Sequence, residues 1–247
     1  MTDIIQEDKR FYGRRRGKPI KKSRQTLIAD LLPRVAIGLP SGGEQIDVQH
    51  IFGITPREVW LEVGFGGGEH VAELAKIYSD VGMIGAEPFM NGVASLLAHL
   101  NGSHGRQAVH ADLESGRTDN VRIWPDDIRI LFPMFPDGCF ERIFILYPDP
   151  WPKARHAERR FINHKNIPIL SRLLSETGRI YVATDVSAYA EWAQEKMDES
   201  GLFERENTDI TVPPADWVPT RYEKKGLAAG RRPTYLVFCK KISDNDK

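Results

Sequence analysis

From residue 59 onward, short apolar runs of strand type alternate with segments of helical spacing, and this alternation is the feature that most constrains the fold. A helix predicted over 69–79 has Val71, Leu74 and Tyr78 on one face. The predicted strands are residues 59–63, 83–87, 121–123, 142–147, 179–184 and 234–240. Such a series predicts an α/β fold with a doubly wound, mostly parallel sheet and helices on both faces.

Connections between these elements carry their own signals. The remaining helices are predicted at residues 26–35, 92–100 and 187–200. Gly178 stands where a helix would stop before a strand, and Asp185 stands where the next helix would be capped. The Gly- and Pro-rich IGLPSGGEQ segment is the expected internal boundary, and residues 101–116 are expected to form an extended loop.

Acidic residues come at or just after the ends of four predicted strands. The four are Glu62, Glu87, Asp149 and Asp185. Because ligands of doubly wound sheets bind beyond the carboxyl ends of the strands, these side chains should lie along one rim. The sequence therefore predicts a ligand site edged by carboxylates.

Charge is distributed unevenly, although 34 basic and 34 acidic residues balance. Residues 9–24 contain nine basic and no acidic residues, which leaves 25 basic against 34 acidic elsewhere. This basic N-terminal extension can neutralise phosphates of RNA or DNA, but by itself it is equally typical of a solvated tail. The absence of a spanning apolar run, a secretory h-region and metal-type cysteine spacing predicts a cytoplasmic protein without membrane or metal.

The glycine-rich segment 61–70, LEVGFGGGEH, has the order strand, turn, helix, in which glycines let the backbone approach a ligand closely. A dinucleotide fingerprint would need a glycine where Glu69 stands, and that carboxylate would repel a pyrophosphate, which disfavours a dehydrogenase. The Gly-Lys-Ser/Thr of a P-loop is also absent. S-adenosylmethionine lacks a phosphate group, and its methionine head is cationic. An acidic residue just before the glycines can attract that cation, and Glu62 stands there.

The pattern E-x-G-x-G at 62–66, with Gly64 and Gly66, resembles the first motif of Rossmann-like methyltransferases. Glu87 follows Gly66 by 21 residues, where a carboxylate would accept hydrogen bonds from ribose hydroxyls. Either acid alone is typical of a surface residue, but together with the loop they predict a nucleotide-like cofactor. Asp127 is preferred to Asp126 near the adenine, although Pro-Asp-Asp is also typical of a turn.

The segment 146–161, LYPDPWPKARHAERRF, joins a carboxylate, an aromatic plane and a basic run. Prolines flank Asp149 and restrict its backbone, and Trp151 can stack on a base. The cations that follow are Lys153, Arg155, His156, Arg159 and Arg160. This combination indicates a flipped nucleobase with its phosphates held nearby, although the spacing alone also suits a proline-kinked loop entering a basic helix.

The same segment resembles the PDPW-x-K-x-R-H-x-x-R-R signature of the bacterial tRNA (guanine-N7)-methyltransferase family. Residues 220–238, TRYEKKGLAAGRRPTYLVF, resemble a second block of that family, T-[KR]-[FY]-E-x-[KR]-G-x-x-x-G-[HR], and the Thr184–Asp185 pair agrees. The resemblance covers about residues 55–240. Residues 101–116 are longer than the family pattern, so the alignment leaves Asp112 or Glu114 as alternatives to Asp127.

The resemblance implies an arm at 1–25, one Rossmann-like methyltransferase domain at 26–247, and a monomer or homodimer. It implies S-adenosyl-L-methionine as cofactor, tRNA as partner, and methyl transfer to N7 of a variable-loop guanine, position 46 in standard tRNA numbering. The implied cofactor residues are Glu62, Gly64, Gly66, Glu87, Asp127 and Asp149. Asp149 would also be catalytic. The implied substrate contacts are Lys153, Asp185, Thr220, Arg221, Tyr222 and Glu223.

Two other functions stay open on sequence grounds. One is a methyltransferase that acts on another nucleic acid, such as rRNA, or on an exocyclic amine. The other is a catalytically silent RNA-binding protein that keeps the fold as a scaffold. The intact Glu62, Asp149 and loop glycines argue against the silent protein.

Overall fold

A computed structural model of the chain describes Gly13, Arg15 and residues 17–102 and 119–241. The strands are β1 (Glu58–Val63), β2 (Val81–Ala86), β3 (Val121–Trp124), β4 (Phe140–Leu146), β5 (Leu174–Thr184), β6 (Phe203–Arg205) and β7 (Thr234–Lys240). They form one sheet in the order β3-β2-β1-β4-β5-β7-β6. The first five strands pair in parallel and β7 runs antiparallel to both its neighbours, which confirms the mostly parallel sheet.

Helices cover both faces of this sheet, as predicted. They are α1 (Lys22–Asp30), α2 (Leu32–Val35), α3 (Glu69–Ile77), α4 (Met90–Leu100), α5 (Asn166–Leu173), α6 (Ser187–Ser200) and α7 (Arg221–Ala228). Side chains alternate between the faces of a strand, so Trp60 and Leu61 of β1 belong to different cores. The Trp60 core includes Val71 of α3 and the Leu61 core includes Leu170 of α5.

The helix predicted over 26–35 is wrong in its extent. Its first part, α1, begins at Lys22, and a break at Leu31 separates α1 from α2. Pro33 explains the break: it is tolerated in the first turn of α2, whereas inside a continuous helix its ring would clash with the preceding turn. The following IGLPSGGEQ segment does not separate two units, because Ile37 and Ile46 are buried in the same core.

Both predicted boundary residues near β5 have other roles. Gly178 lies inside β5, which starts directly after α5, and a Cβ at this position would come within 2.8 Å of the Leu174 side chain. Asp185 does not cap α6, since the cap position is Val186, whose N–H donates to Thr184 Oγ1 at 3.2 Å. The Asp185 carboxylate instead pairs with Arg231 at 2.6 Å.

The order of the strands places the site. β1 lies between β2 and β4, so the connections diverge here and a crevice opens at the carboxyl ends of β1 and β4. The glycine turn and the Asp149 segment both follow these strand ends. The greater part of the expected loop at 101–116, with Asp112 and Glu114, lies outside the described residues. None of the described helices combines the length and apolar character needed to cross a bilayer.

Candidate cofactor and nucleobase site

A cavity of about 450 Å³ opens at the carboxyl ends of β1, β2 and β4. The turn after β1 contributes Gly64 and Gly66, the end of β2 contributes Glu87, and the segment after β4 contributes Asp149. Tyr222 of α7 closes another side. The structure therefore brings together two of the four predicted rim acids in one cavity.

Gly66 of the glycine turn is closely packed on two sides, whereas Gly64 has open space around it. Gly66 has a φ of 57°, and a Cβ on it would come within 2.7 Å of the Tyr222 ring. On the other side, a Cβ on Gly92 of α4 would lie 2.1 Å from the Gly66 carbonyl oxygen. Residues larger than glycine at either position would push the turn out of place.

Glu87 links this turn to β2. Its carboxylate is buried, and it accepts hydrogen bonds from the N–H groups of Gly66 at 2.7 Å and Phe89 at 2.9 Å. Burial raises the pKa of Glu87; these two donors oppose the shift, and the nearby charges of Asp149 and Glu62 add to it. Three carboxylates close enough to influence one another make this a place where a cation is stabilised.

Glu62 lies beneath the glycine turn and is not among the described residues that line the cavity. Its Oε2 is 2.6 Å from Nδ1 of His70, and both side chains are buried. His70 stands in the first turn of α3, where its ring meets Phe144 edge-on at 5.0 Å. No sequence pattern distinguishes His70 beyond its place at the start of a predicted helix, so the buried Glu62–His70 pair was not predicted.

Both acids of the WPDD segment line the cavity. Asp127 caps the 3₁₀ turn Ile128–Ile130, and its carboxylate accepts from Arg129 N at 3.0 Å and Nη2 at 2.6 Å. Asp126 pairs with Arg15 at 2.9 Å and its side chain is about one-third exposed. That Asp127 lies near the adenine stays a prediction, and Asp126 lines the same cavity.

The backbone around Asp149 is strained on both sides. Tyr147 has a φ of 50° and Trp151 a φ of 40°, although each is a bulky residue that precedes a proline. Left-handed backbone at such residues costs of order 1–3 kcal/mol each and persists only where the surroundings enforce it. The Asp149 carboxylate is thus carried by a segment whose conformation is imposed from outside.

The basic run after Trp151 divides into two groups. Lys153 and Arg155 are exposed, and the Arg159 guanidinium lies 5.2 Å from the centre of the Trp151 ring. Arg160, predicted to hold phosphate with the others, is only 9% exposed and donates to backbone carbonyls. The prediction is wrong for Arg160 because its guanidinium faces the protein interior.

The C-terminal block forms α7 and its cap. Thr220 Oγ1 accepts a hydrogen bond from the N–H of Glu223 at 3.0 Å, which is the contact of a helix N-cap. The T-x-x-E spacing is typical of such a cap, but α7 was not predicted from it. The buried Glu223 carboxylate accepts from Trp217 Nε1 at 2.8 Å and Tyr235 Oη at 2.9 Å. Of the four residues 220–223, Tyr222 lines the cavity as described.

Comparison with known proteins places the chain in a family. A family model described as "Putative methyltransferase" matches residues 56–236. The tRNA (guanine-N(7)-)-methyltransferase of Paramagnetospirillum magneticum is 44% identical over 94% of this chain and 93% of its own length. The proteins of the same name from Rhodospirillum rubrum and Ruegeria pomeroyi are 42% and 40% identical, over 96% and 92% of this chain and 90% and 93% of their own lengths.

Solved structures agree on the fold. The antibiotic-resistance methyltransferase Kmr aligns with a TM-score of 0.50 at 17% identity, covering 76% of this chain and 89% of that chain. A variant of the 16S rRNA (adenine(1408)-N(1))-methyltransferase from Catenulisporales acidiphilia, solved with its cosubstrate SAM, also has a TM-score of 0.50, at 12% identity over 78% of this chain and 89% of that chain. The chain belongs to the tRNA (guanine-N(7)-)-methyltransferase family of Rossmann-like, S-adenosylmethionine-dependent enzymes.

Proposed function

We propose that the protein transfers a methyl group from S-adenosyl-L-methionine to N7 of a guanine in tRNA, with position 46 of the variable loop as the target. One observation carries the proposal: Glu87 and Asp149 share a cavity at the topological switch point, beside the Trp151 plane and a basic run. The names of the relatives support the choice of substrate.

The residues of the cavity fit this cofactor. A volume of about 450 Å³ falls within the range of about 300–1,000 Å³ of small-molecule sites. Glu87 would hold the ribose hydroxyls and Asp127, or Asp126, the adenine end. Glu62 would attract the cationic head from beneath the Gly64–Gly66 turn, since His70 contacts its Oε2 and leaves Oε1. When bound, the cofactor supplies a methyl group activated by a sulfonium.

The side chains of the protein then have a limited chemical task. N7 of guanine carries a lone pair and no proton, so no residue has to act as a base before attack. Placement supplies most of the rate enhancement, and a fixed carboxylate stabilises the positive charge that develops on the purine. Asp149 would provide that charge and would accept hydrogen bonds from N1–H and N2–H of the guanine.

The remaining predicted substrate residues divide by exposure. Lys153 and Arg221 are exposed and would contact the tRNA phosphates, and the half-exposed Tyr222 would contact the guanosine. Thr220 and Glu223 are buried, so they would act by shaping α7. Asp185 would contact the guanosine while it shares its carboxylate with Arg231.

The organisation of the chain follows from this function. Residues 1–25 would form the tRNA-binding arm and residues 26–247 the methyltransferase domain. A tRNA-modifying enzyme would work in the cytoplasm, as a monomer or homodimer. Light scattering of the purified protein, with and without tRNA, measures the oligomeric state.

Nucleoside analysis after reaction tests the proposed function. The wild-type enzyme should produce N7-methylguanosine in tRNA, and Asp149→Asn should lower kcat by about 10²–10³-fold while the cofactor Kd changes less than kcat does. Asp137→Asn is the matched control. Asp137 lies just before β4, is exposed, and also carries a carboxylate, which pairs with Arg172. Methyl groups on rRNA or on an exocyclic amine, or full turnover by Asp149→Asn, would contradict the proposal.

A further inference from the structure

Arg160 makes an unusual set of contacts for a residue of a basic run. Its side chain is 9% exposed, and its guanidinium lies 4.6 Å from the centre of the Trp192 ring on α6. Nε donates to the Pro150 carbonyl at 2.9 Å, and Nη2 donates to the Trp151 carbonyl at 3.2 Å. The planar fork of an arginine holds two carbonyl groups in a fixed geometry, whereas a lysine ammonium is a single point of three rotatable donors.

The two carbonyls belong to the two residues that directly follow Asp149. Trp151 has a left-handed backbone before a proline, a conformation that this dipeptide does not adopt unaided. The backbone around Arg160 is itself held in place. Trp192 Nε1 donates to Ile162 O at 2.7 Å, and Asn163 Nδ2 donates to Arg160 O at 2.7 Å. The guanidinium thus connects the Asp149 segment to α6.

We propose that Arg160 is a positioning residue for methyl transfer: it holds the carbonyls of Pro150 and Trp151 and so fixes the direction of the Asp149 carboxylate. This rests on the proposed role of Asp149 in the reaction. Arg160 would act without contacting the substrate, because its guanidinium is buried and packed on Trp192. Its exposed neighbours Lys153 and Arg155 are the residues available to phosphates.

The test compares Arg160→Gln and Arg160→Lys with a matched pair at Arg172. Arg172 also donates to two backbone carbonyls, those of Phe132 at 2.6 Å and Phe135 at 2.9 Å, at the far end of β4. At saturating tRNA and cofactor, we expect kcat to fall by about 100-fold in Arg160→Gln, the effect of an ångström-scale misplacement. In Arg160→Lys, which keeps the positive charge but loses the planar fork, kcat should fall by about tenfold.

Further measurements separate positioning from other roles. The cofactor Kd and the KM for tRNA should stay within about threefold, and the salt dependence of tRNA binding should be unchanged, whereas loss of a phosphate contact would lower its slope by about one. Amide exchange of Tyr147, Asp149 and Trp151, the residues of this segment that carry an N–H, should rise in both Arg160 variants. The Arg172 variants should lower the melting temperature comparably while kcat stays within about threefold.

The results distinguish failure of this proposal from failure of the proposed function. If the wild-type enzyme makes no N7-methylguanosine, the function is wrong whatever Arg160 does. If the wild-type enzyme is active and Asp149→Asn is not, but a folded Arg160→Gln keeps its kcat, the positioning role is wrong. It is also wrong if the Arg172 and Arg160 variants lose kcat equally, or if the salt slope falls. Should Arg160→Gln fail to fold, Arg160→Lys decides by the same measurements.

Discussion

Gly92→Ala tests whether close packing of α4 against Gly66 sets the position of the glycine turn. Gly92 lies in α4, where alanine has the higher helix propensity, so propensity alone predicts stabilisation by about 0.5–1 kcal/mol. The structure predicts the opposite sign. The new Cβ would lie 2.1 Å from the Gly66 carbonyl oxygen, whereas real Cβ contacts are essentially never under 3.0 Å. The turn or the helix must therefore move by about 1 Å.

The size of this movement gives the expected effect. Overpacking of a dense interior costs about 1–3 kcal/mol, which corresponds to a fall in Tm of about 2–12 °C for a chain of this length. The same movement lengthens the 2.7 Å hydrogen bond from Gly66 N–H to Glu87. We therefore expect the cofactor Kd to rise at least about tenfold, or about 1.4 kcal/mol.

Calorimetric titration of the cofactor and thermal melting measure both effects. Gly82→Ala is the matched control, because its Cβ would come within 2.5 Å of the Phe52 ring near the start of β2, away from the site. It should lose stability and keep its cofactor affinity. Gly38→Ala, with no atom within 4 Å of its Cβ, should change neither. If Gly92→Ala binds the cofactor as tightly as Gly82→Ala does, the steric reasoning is wrong.

Three other changes test the charges and the cap. Burial raises the pKa of Glu87, so its contribution to stability is full below the ordinary carboxyl pKa and is lost as pH rises through the raised value. Glu87→Gln should remove that decline from a plot of Tm against pH. Thr220→Ala removes the acceptor for Glu223 N–H and should lower the free energy of unfolding by about 1 kcal/mol, measured with urea. Neutralising three arginines of the arm should reduce the salt slope of tRNA binding by about 2–3. The three are Arg10, Arg14 and Arg16.

Each of these predictions has a control or an outcome that would refute it. Glu204→Gln, on an exposed strand position, should leave the pH profile of Tm unchanged; a profile for Glu87→Gln that matches the wild type would refute the assigned shift. Thr26→Ala alters an exposed hydroxyl on α1 and should cost less than Thr220→Ala; equal costs would mean that the cap is not stabilising. An unchanged salt slope in the triple variant would remove the arm from the tRNA interface.

The sequence was most informative where backbone geometry and side-chain chemistry follow the same rule. Parallel strands end at one edge, so the strand-end positions of Glu87 and Asp149 were enough to predict a shared cavity. The same rule placed Glu62 correctly at the end of its strand but could not show that its carboxylate turns toward His70. That contact depends on α3 packing over β1, which local periodicity does not describe.

Other misses have the same origin in tertiary contacts. Arg160 looks like its basic neighbours in the sequence, and only the position of Trp192 across the interior shows why it turns inward. Gly178 looks like a helix stop, but α5 ends at Leu173 and β5 begins at Leu174. α7 was the avoidable miss, because the T-x-x-E spacing at Thr220 is a local signal.

The positions of strain and close packing suggest what this site is built to do. Methylation of a nucleophilic ring nitrogen needs no proton transfer before attack, so rate depends on how narrowly the two reactants are oriented. The conformationally costly features lie around that alignment: left-handed Tyr147 and Trp151 on either side of Asp149, and Gly92 against Gly66 on the cofactor side. Strain of this kind persists only if neighbouring contacts enforce it, and Arg160 supplies two of them. Under the proposed mechanism, the catalytic contribution of this protein would therefore lie in the backbone around Asp149 as much as in its carboxylate.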